Sequence, residues 1–325
     1  MKRLGKKWGR WAAVAALTAV VAGSAWIWHG HGAYGFGVIA HTGGNYWIDV
    51  PKDDPSLDPS VRAAIRPDAD QATAGGFAWK TVAPGYETAE IPVLLGGAEV
   101  DRLILSRIAP ARYRFTVRNA PEGRDIKQWH KALPKAVLIV NGSYFDKKGL
   151  PDTPFVSEGQ VLGPQSYDAK AGAFVANDAG ASVVDLAHRP WQEALKGSAN
   201  AMVSYPMLVG EDGQTRVTVA SNWLANRTFV AEDAGGHIIV GSTKAGFFSL
   251  SRLAAFLKAS PLDIRTALNL DGGPIACRME RVGAFRREVH ASVEAQPHDA
   301  TIAVLRWPLD HDWGLPVVLV AEPKS

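Results

Sequence analysis

Residues 136–145 read AVLIVNGSYF, an apolar run that stops at Asn141 and is followed at once by Gly142. Five consecutive apolar residues bounded by turn formers read as a buried strand. Thr266–Gly273, TALNLDGG, repeats the pattern: a buried strand over Thr266–Leu270 runs into Asp271, and Gly272 and Gly273 follow. The flanking sequence has the same character. Glu87–Val93 alternates (ETAEIPV), and Val100–Ile108 and Tyr113–Val117 are short runs rich in β-branched and aromatic residues. Further strands are expected at Ala173–Ala176, Ser182–Asp185, Met207–Val209, Arg216–Ala220 and Thr228–Ala231, then at His237–Ser242, Thr301–Arg306 and Val317–Ala321. Helices are few. Gly123–Leu133 places Ile126, Trp129 and Leu133 at helical spacing. Leu250–Ala259 has an apolar face of Leu250, Leu253, Ala254 and Leu257, with Ser249 as N-cap and Pro261 as stop. Most connections are too short for repeated βαβ crossovers. The expected fold class is therefore α+β: a mixed, largely antiparallel β-sheet core with a few flanking helices.

The composition agrees. The chain has 325 residues, 47% of them hydrophobic and 21% charged, which excludes a disordered or collagen-like polymer. A single cysteine, Cys277, excludes an intramolecular disulfide framework and a thiolate metal cluster, and reads as a small buried residue. The net charge of +3 belongs to the first ten residues, where Lys2, Arg3, Lys6, Lys7 and Arg10 precede any acid. Without these five the chain carries 30 basic and 32 acidic residues, a net of −2, so no nucleic-acid partner is expected.

After this basic leader (residues 1–10), Trp11–Trp28 is an 18-residue run without charge. At ~1.5 Å per residue it covers ~27 Å, close to the ~30 Å of a bilayer core. Positive charge ahead of the span places the N-terminus in the cytoplasm and the remainder on the periplasmic or extracellular side. Trp26 and Trp28 suit an interfacial belt, the mark of an uncleaved single-pass transmembrane anchor. Gly23 and Ala25 also fit the −3 and −1 positions of a cleaved signal peptide. Residues 29–75 read as a tether, Gly- and His-rich at first and later Pro- and Asp-rich. A short helix near Ser60–Ile65 is expected to have no face worth burying. His29 and His31 read as a solvated pair. The body is expected over residues 76–322.

Three places in the body carry chemistry. Asn141 and Asp271 each end an apolar strand, and Asn269 lies two residues before Asp271 on the same face. A buried strand gives such a side chain a rigid support, and the glycines that follow let the backbone turn and a ligand approach. Both are also ordinary strand-to-turn junctions. The third place is Asn226-Arg227-Thr228, where a guanidinium beside a hydroxyl can clamp phosphate or carboxylate, or simply lie on the surface.

Taken in order, these features resemble the phosphodiester glycosidase family, the domain of the lysosomal uncovering enzyme that removes N-acetylglucosamine from a phosphodiester. Its bacterial members are often labelled exopolysaccharide-biosynthesis proteins. The resemblance rests on WKTVAPGYETA (Trp79–Ala89), LSRIAP (Leu105–Pro110), NGSYF (Asn141–Phe145), YPMLVGEDG (Tyr205–Gly213), and Asn226–Thr228 followed by NLDGG (Asn269–Gly273). It departs after Gly273, where Pro274, Ile275, Ala276 and Cys277 stand in place of the family's usual Gly or Ser.

The resemblance implies a hydrolase, exported and held at the membrane through residues 11–28, that cleaves a sugar-1-phosphodiester without a cofactor or metal. Asp271 would be the carboxylate that activates water or attacks, and Arg227 would hold the phosphate. Asn141 and Asn269 would hydrogen-bond the sugar, with Tyr144 against its face. Gly142, Thr228, Gly272 and Gly273 complete the expected substrate-binding set, and Asp146 is a weaker second carboxylate. Two other classes stay open. One is a non-catalytic glycan-binding or exopolysaccharide assembly module. The other is a metal-dependent phosphoesterase drawing on His290, His298, Asp299, Asp310, His311 or Asp312, which lack a recognisable ligand spacing and read as solvated surface.

Overall fold

The computed structural model describes residues 4–42, 47–168, 171–217, 219, 222–305 and 313–324. Its N-terminus is helix α1 (Leu4–Thr42), which breaks at Gly32, a residue in the left-handed region at φ +66°. The stretch Gly9–Ala40 is long and apolar enough to cross a membrane. Trp11, Leu17, Val20 and Trp26 are well exposed, whereas residues beyond the break are half-buried.

The strands begin with β1 (Trp47–Pro51), β2 (Thr73–Ala74), β3 (Lys80–Ala83), β4 (Tyr86–Leu95), β5 (Ala98–Ile108) and β6 (Tyr113–Asn119). Helix α2 (Pro59–Ala64) lies between β1 and β2, and α3 (Ile126–Ala132) follows β6 with a reciprocal Asp125–Gln128 cap. Next come β7 (Leu138–Asn141), β8 (Phe155–Ser157), β9 (Gln160–Leu162), β10 (Gly172–Ala176) and β11 (Ala181–Asp185). After α4 (Trp191–Ala194) run β12 (Asn200–Ser204), β13 (Met207–Val209), β14 (Leu224–Ala225), β15 (Thr228–Asp233) and β16 (Ile238–Thr243). Helix α5 (Leu250–Ala259) is capped by Ser249, whose hydroxyl accepts from Arg252 N. The chain closes with β17 (Ile264–Asn269), β18 (Arg278–Val282), β19 (Phe285–Val289), β20 (Glu294–Pro297), β21 (Thr301–Leu305) and β22 (Val317–Pro323).

The strands form four sheets, and their described pairings are antiparallel, as the short connections require. The largest runs β13-β17-β15-β16-β5-β4-β2, with β3 on β4. Because side chains alternate along a strand, this sheet has two buried faces. Val230, Ile238, Val240 and Leu268 pack against the five-stranded sheet β19-β18-β7-β22-β6. Phe229, Ala231, Ile239 and Ala267 pack the other way, on α5, α2 and the four-stranded sheet β1-β21-β20-β14.

Three expectations fail here. Residues 47–74 are built into the body rather than left as a tether: β1 pairs with β21, and Leu57 and Ala69 are buried. Helix α2 does have a face to bury, made of Val61, Ala63 and Ala64, and Ser60 Oγ accepts from Gly246 N at 2.9 Å. The strand expected over Arg216–Ala220 does not form over its described residues. Arg216 N donates to Leu208 O, and its guanidinium turns to Asp185 and Asp212.

Between the two large sheets lies a buried ionic cluster. Glu280, on β18, accepts from Tyr86 Oη at 2.8 Å and pairs with Arg287 at 2.5 Å, while the Arg278 guanidinium donates to Ile104 O and Ser106 Oγ. Burial pushes the Glu280 carboxyl up, but Arg278 and Arg287 outweigh it and hold the group below its ordinary value.

Candidate active site

Strand pairing gathers the three chemical stretches. In the antiparallel pair β15·β17, Phe229 faces Asn269, so Arg227-Thr228, entering β15, lies beside Leu270-Asp271, leaving β17. Leu270 N donates to Thr228 O at 2.9 Å. The end of β7 then joins from the five-stranded sheet. Asp271 N donates to Gly142 O at 3.0 Å, and Asn141 Nδ2 donates to Asp271 O at 2.7 Å. Thr228 Oγ1 completes the tie by donating to Asn141 Oδ1 at 2.7 Å.

This bracing separates groups that support from groups that can react. Asn141 and Thr228 are fully buried, and their side chains hold each other and the Asp271 backbone. Gly142 is needed for packing, since a Cβ there would stand 2.6 Å from Val317 Cγ1. A Cβ on Gly272 would meet Asn226 O at 2.8 Å, and one on Gly273, at φ +66°, would meet Glu294 Oε2 at 2.6 Å. The Gly-Gly pair thus lets a carbonyl and a carboxylate close in beside Asp271.

Arg227 is buried. Its Nε donates to Phe248 O at 3.1 Å and its Nη2 to Trp223 O, while Nη1 lies along Gly272, 3.7 Å from where a Cβ would be. Burial lowers its pKa, against the opposing charges of Tyr144, Glu294 and Asp271. Burial also pushes Asp271 up to about 8; Glu294 and Asp152 reinforce this, and the Gly272 N–H at 2.8 Å and Arg227 oppose it. Glu294 is raised too, chiefly by burial, against a hydrogen bond from Trp223 Nε1 at 2.8 Å and the charge of Arg227. Two carboxyls reluctant to ionise thus share one guanidinium, a pattern concentrated at reactive sites.

An aromatic wall stands alongside. Tyr144 stacks on Tyr205 with centroids 4.4 Å apart, and Tyr167 lies beyond Tyr205. Asn269 Nδ2 donates to Tyr144 Oη at 2.8 Å and to Tyr205 O at 3.0 Å. Asn269 Oδ1 is buried with no hydrogen-bond partner among the described residues. A buried acceptor in that state is costly and suits a ligand donor.

Glu294 and Asp152 carry no motif signal, and Tyr205 opens the YPMLVGEDG stretch but is not among the expected site residues. Glu294 sits in a polar stretch, and only the β14·β20 register, with Ala225 opposite Glu294, sets it beside Asn226-Arg227. Asp146 closes its own turn by accepting from Lys148 N and Leu150 N, and the acids that act on Asp271 are Glu294 first and then Asp152. Cys277 is buried, with Sγ 4.0 Å from His290 Nδ1. Among the described residues no three His, Cys, Asp or Glu side chains are grouped so as to hold a metal ion; Asp310, His311 and Asp312 lie outside those residues.

The family pattern of phosphodiester glycosidases matches residues 134–297. No curated protein sequence matches the chain. Among solved structures, a hypothetical protein from Synechocystis superposes with a TM-score of 0.51 at 14% identity, over 72% of this chain and 64% of that one. The chain thus spans less than two thirds of that protein. A protein from Burkholderia pseudomallei, described as exported, gives 0.50 at 12% identity over 78% of this chain and 97% of its own. The zebrafish N-acetylglucosamine-1-phosphodiester alpha-N-acetylglucosaminidase catalytic domain, auto-inhibited by its pro-peptide, gives 0.47 at 15% identity over 82% and 90%. The first two likenesses establish a shared fold. The family match covers half of the chain and takes in both the strand that ends in Asn141 and the strand that begins with Glu294, so the chain belongs to the phosphodiester glycosidase family, a family of hydrolases.

Proposed function

We propose that the protein is a membrane-anchored hydrolase, working on the periplasmic or extracellular side, that cleaves the bond between a sugar's anomeric carbon and a phosphodiester oxygen. The carrying observation is the meeting of Asp271, Glu294 and Arg227 beside an unpartnered Asn269 acceptor. In the reaction, water adds to the anomeric carbon and gives a proton to the base as the bond from that carbon to the phosphate oxygen breaks, giving free sugar and a phosphate monoester that keeps the oxygen. The leaving group is a stable anion, so proton donation to it matters less than in ordinary glycoside hydrolysis. The site has to neutralise phosphate charge and provide a base. Arg227, already desolvated and aligned by two main-chain carbonyls, supplies the first. Asp271 and Glu294 together hold a proton near neutral pH, so one can act as base while the other stays neutral beside the incoming phosphate. Asn269 Oδ1 would accept from a sugar hydroxyl or N-acetyl N–H, and Tyr144 would face the ring. Asn141 and Thr228 would position Asp271 rather than touch substrate.

The test is a screen of the purified full chain against sugar-1-phosphodiesters, reading free sugar. Asp271→Asn, nearly the same shape, should lose ~10³-fold or more in kcat with the fold retained. Wild-type turnover by that variant would remove Asp271 from the chemistry. Binding with no turnover of any ester by the wild type would favour a glycan-binding module.

A further inference from the structure

The apolar helix leaves the body at the rim of the candidate site. After the break at Gly32, α1 packs on the loop that follows β7, which also carries Tyr144. A Cβ on Gly32 would touch Lys148 Cβ at 3.4 Å, and one on Gly35 would meet Lys147 O at 2.5 Å. Tyr34 sets its ring edge-on to Phe145, with centroids 5.0 Å apart, and lies within electrostatic reach of Asp271. Trp28 packs on Phe36 across the break, tying the exposed span to the docked part.

These contacts fix the depth of the site. From Trp28, the last residue of the uncharged run, the helix rises ~6 Å over four residues to the break at Gly32. There the chain turns, bringing Phe36 against Trp28, so Tyr34, two residues past the break, stays near that height. A headgroup layer is ~5–7 Å thick on each side of the hydrocarbon. With Trp28 at the hydrocarbon boundary, Tyr34 lies at or just above the lipid phosphates, with Asp271 within electrostatic reach of it. Exposed Lys147 and Lys148 stand on the same rim. Resting on the phosphodiester-cleaving reading and narrowing its substrate, we infer that the aglycone is a membrane lipid: the protein hydrolyses lipid-linked sugar-1-phosphodiesters whose phosphate sits in the headgroup plane. Hydrolysis would release the sugar to the aqueous side and leave the phosphorylated lipid in the bilayer.

The experiment uses the full chain in phosphatidylcholine–phosphatidylglycerol vesicles with two probes, N-acetylglucosamine-1-phosphofarnesol and the soluble N-acetylglucosamine-1-phosphomethyl ester. The farnesyl ester should be hydrolysed at least ~10-fold faster at equal total concentration. An 18-residue helical insert between Gly30 and His31 adds five turns, keeps the rotational setting, and raises the body by ~27 Å. It should lower the farnesyl rate at least ~10-fold and leave the soluble ester within two-fold. Independently of turnover, a spin label on Lys148→Cys should be relaxed by a nickel-chelating lipid in the wild-type chain but not in the insert variant. Equal rates on the two esters, an unchanged farnesyl rate in the insert variant, a label at Lys148 blind to the nickel lipid, or a mature chain beginning at Trp26 would each overturn the inference while leaving phosphodiester cleavage standing. Cleavage of neither ester would overturn both.

Discussion

Replacing Gly273 by alanine tests whether the position of Glu294 matters. The residue sits at φ +66°, where an L side chain costs about 1–2 kcal/mol. The new Cβ would also lie 2.6 Å from Glu294 Oε2 and 2.9 Å from Cδ, so the carboxylate must retreat by about 1 Å to reach normal contact. Displacement of a reacting group by that much costs ~10²-fold in rate. Gly236 supplies the control. It has φ +76° with nothing within 4 Å of its Cβ direction, in the turn at the end of β15 away from Thr228. Gly236→Ala therefore carries the backbone cost without the collision. Thermal melting should show both variants lowered by about 3–6 °C, as 1–2 kcal/mol implies for a body of this size. Steady-state hydrolysis should show Gly236→Ala near wild type and Gly273→Ala down ~10²-fold in kcat. Glu294→Asp, one methylene shorter, should restore part of the loss in the Gly273→Ala background, a coupling readable from the double-mutant cycle. Equal activity of the two glycine variants would show that Glu294 takes no part in the reaction.

Three further outcomes follow from the same geometry. Arg227→Ala should depress kcat/KM for phosphodiesters at least ~10²-fold and spare neutral glycosides, and Arg227→Lys should recover little because a lysine cannot reproduce the planar fork; equal loss on both substrate classes would rule out a phosphate clamp. Asp271, raised to about 8 from an ordinary value near 3.8, holds in the folded state a proton that the unfolded chain releases, so its contribution to stability is lost as pH rises from about 4 through 8. Asp271→Asn should accordingly match the wild-type melting temperature at low pH and exceed it increasingly towards pH 9, a trend that differential scanning calorimetry would detect or refute. Glu280→Gln strips the counter-charge from the fully buried Arg278 and should destabilise by about 3–5 kcal/mol in urea unfolding; a loss under 1 kcal/mol would mean that the pair is not holding the two sheets together.

Features carried by periodicity or local chemistry are legible in the sequence. Leu250–Ala259 declares its cap, its face and its stop, and the runs ending in Asn141 and Asp271 declare buried strands with a polar tip. Neighbourhoods set by register are not legible. Glu294 meets Asp271 only because Ala225 pairs with Glu294, and nothing in a polar stretch near the C-terminus encodes that choice of partner. The burial of residues 47–74 is hidden for a related reason. Helix α2 has six residues, too few for a periodic stripe to show, and Leu57 buries from outside any element. Asn141 stands where the strand pattern puts it but acts differently from the expectation. Being buried, it binds the Asp271 carbonyl and the Thr228 hydroxyl, a distinction that residue type alone cannot make.

Charge is buried in several places, and two of the clusters, around Glu280 and around Asp271, differ in a way that bears on the proposed chemistry. Asp101 is buried and raised to about 7 as well, but three main-chain N–H groups satisfy it. Around Glu280, two arginines, a tyrosine and a serine surround the carboxylate, and the net pull lowers its pKa despite full burial. That environment stabilises the ionised form and suits a fixed strut between sheets. Around Asp271, burial and two neighbouring acids outweigh one arginine and one N–H, and burial of Glu294 outweighs its Trp223 hydrogen bond and Arg227, so both carboxyls are held above their ordinary values. The Asn269 acceptor beside them has no partner among the described residues. A fold gains nothing from such an arrangement in the absence of a ligand, because each feature raises the free energy of the native state. On the proposed function the cost would be met when a phosphate and a sugar enter: Arg227 and a neutral acid would meet the anion, the orphan acceptor would find a donor, and an ionisable group would titrate where a proton must move.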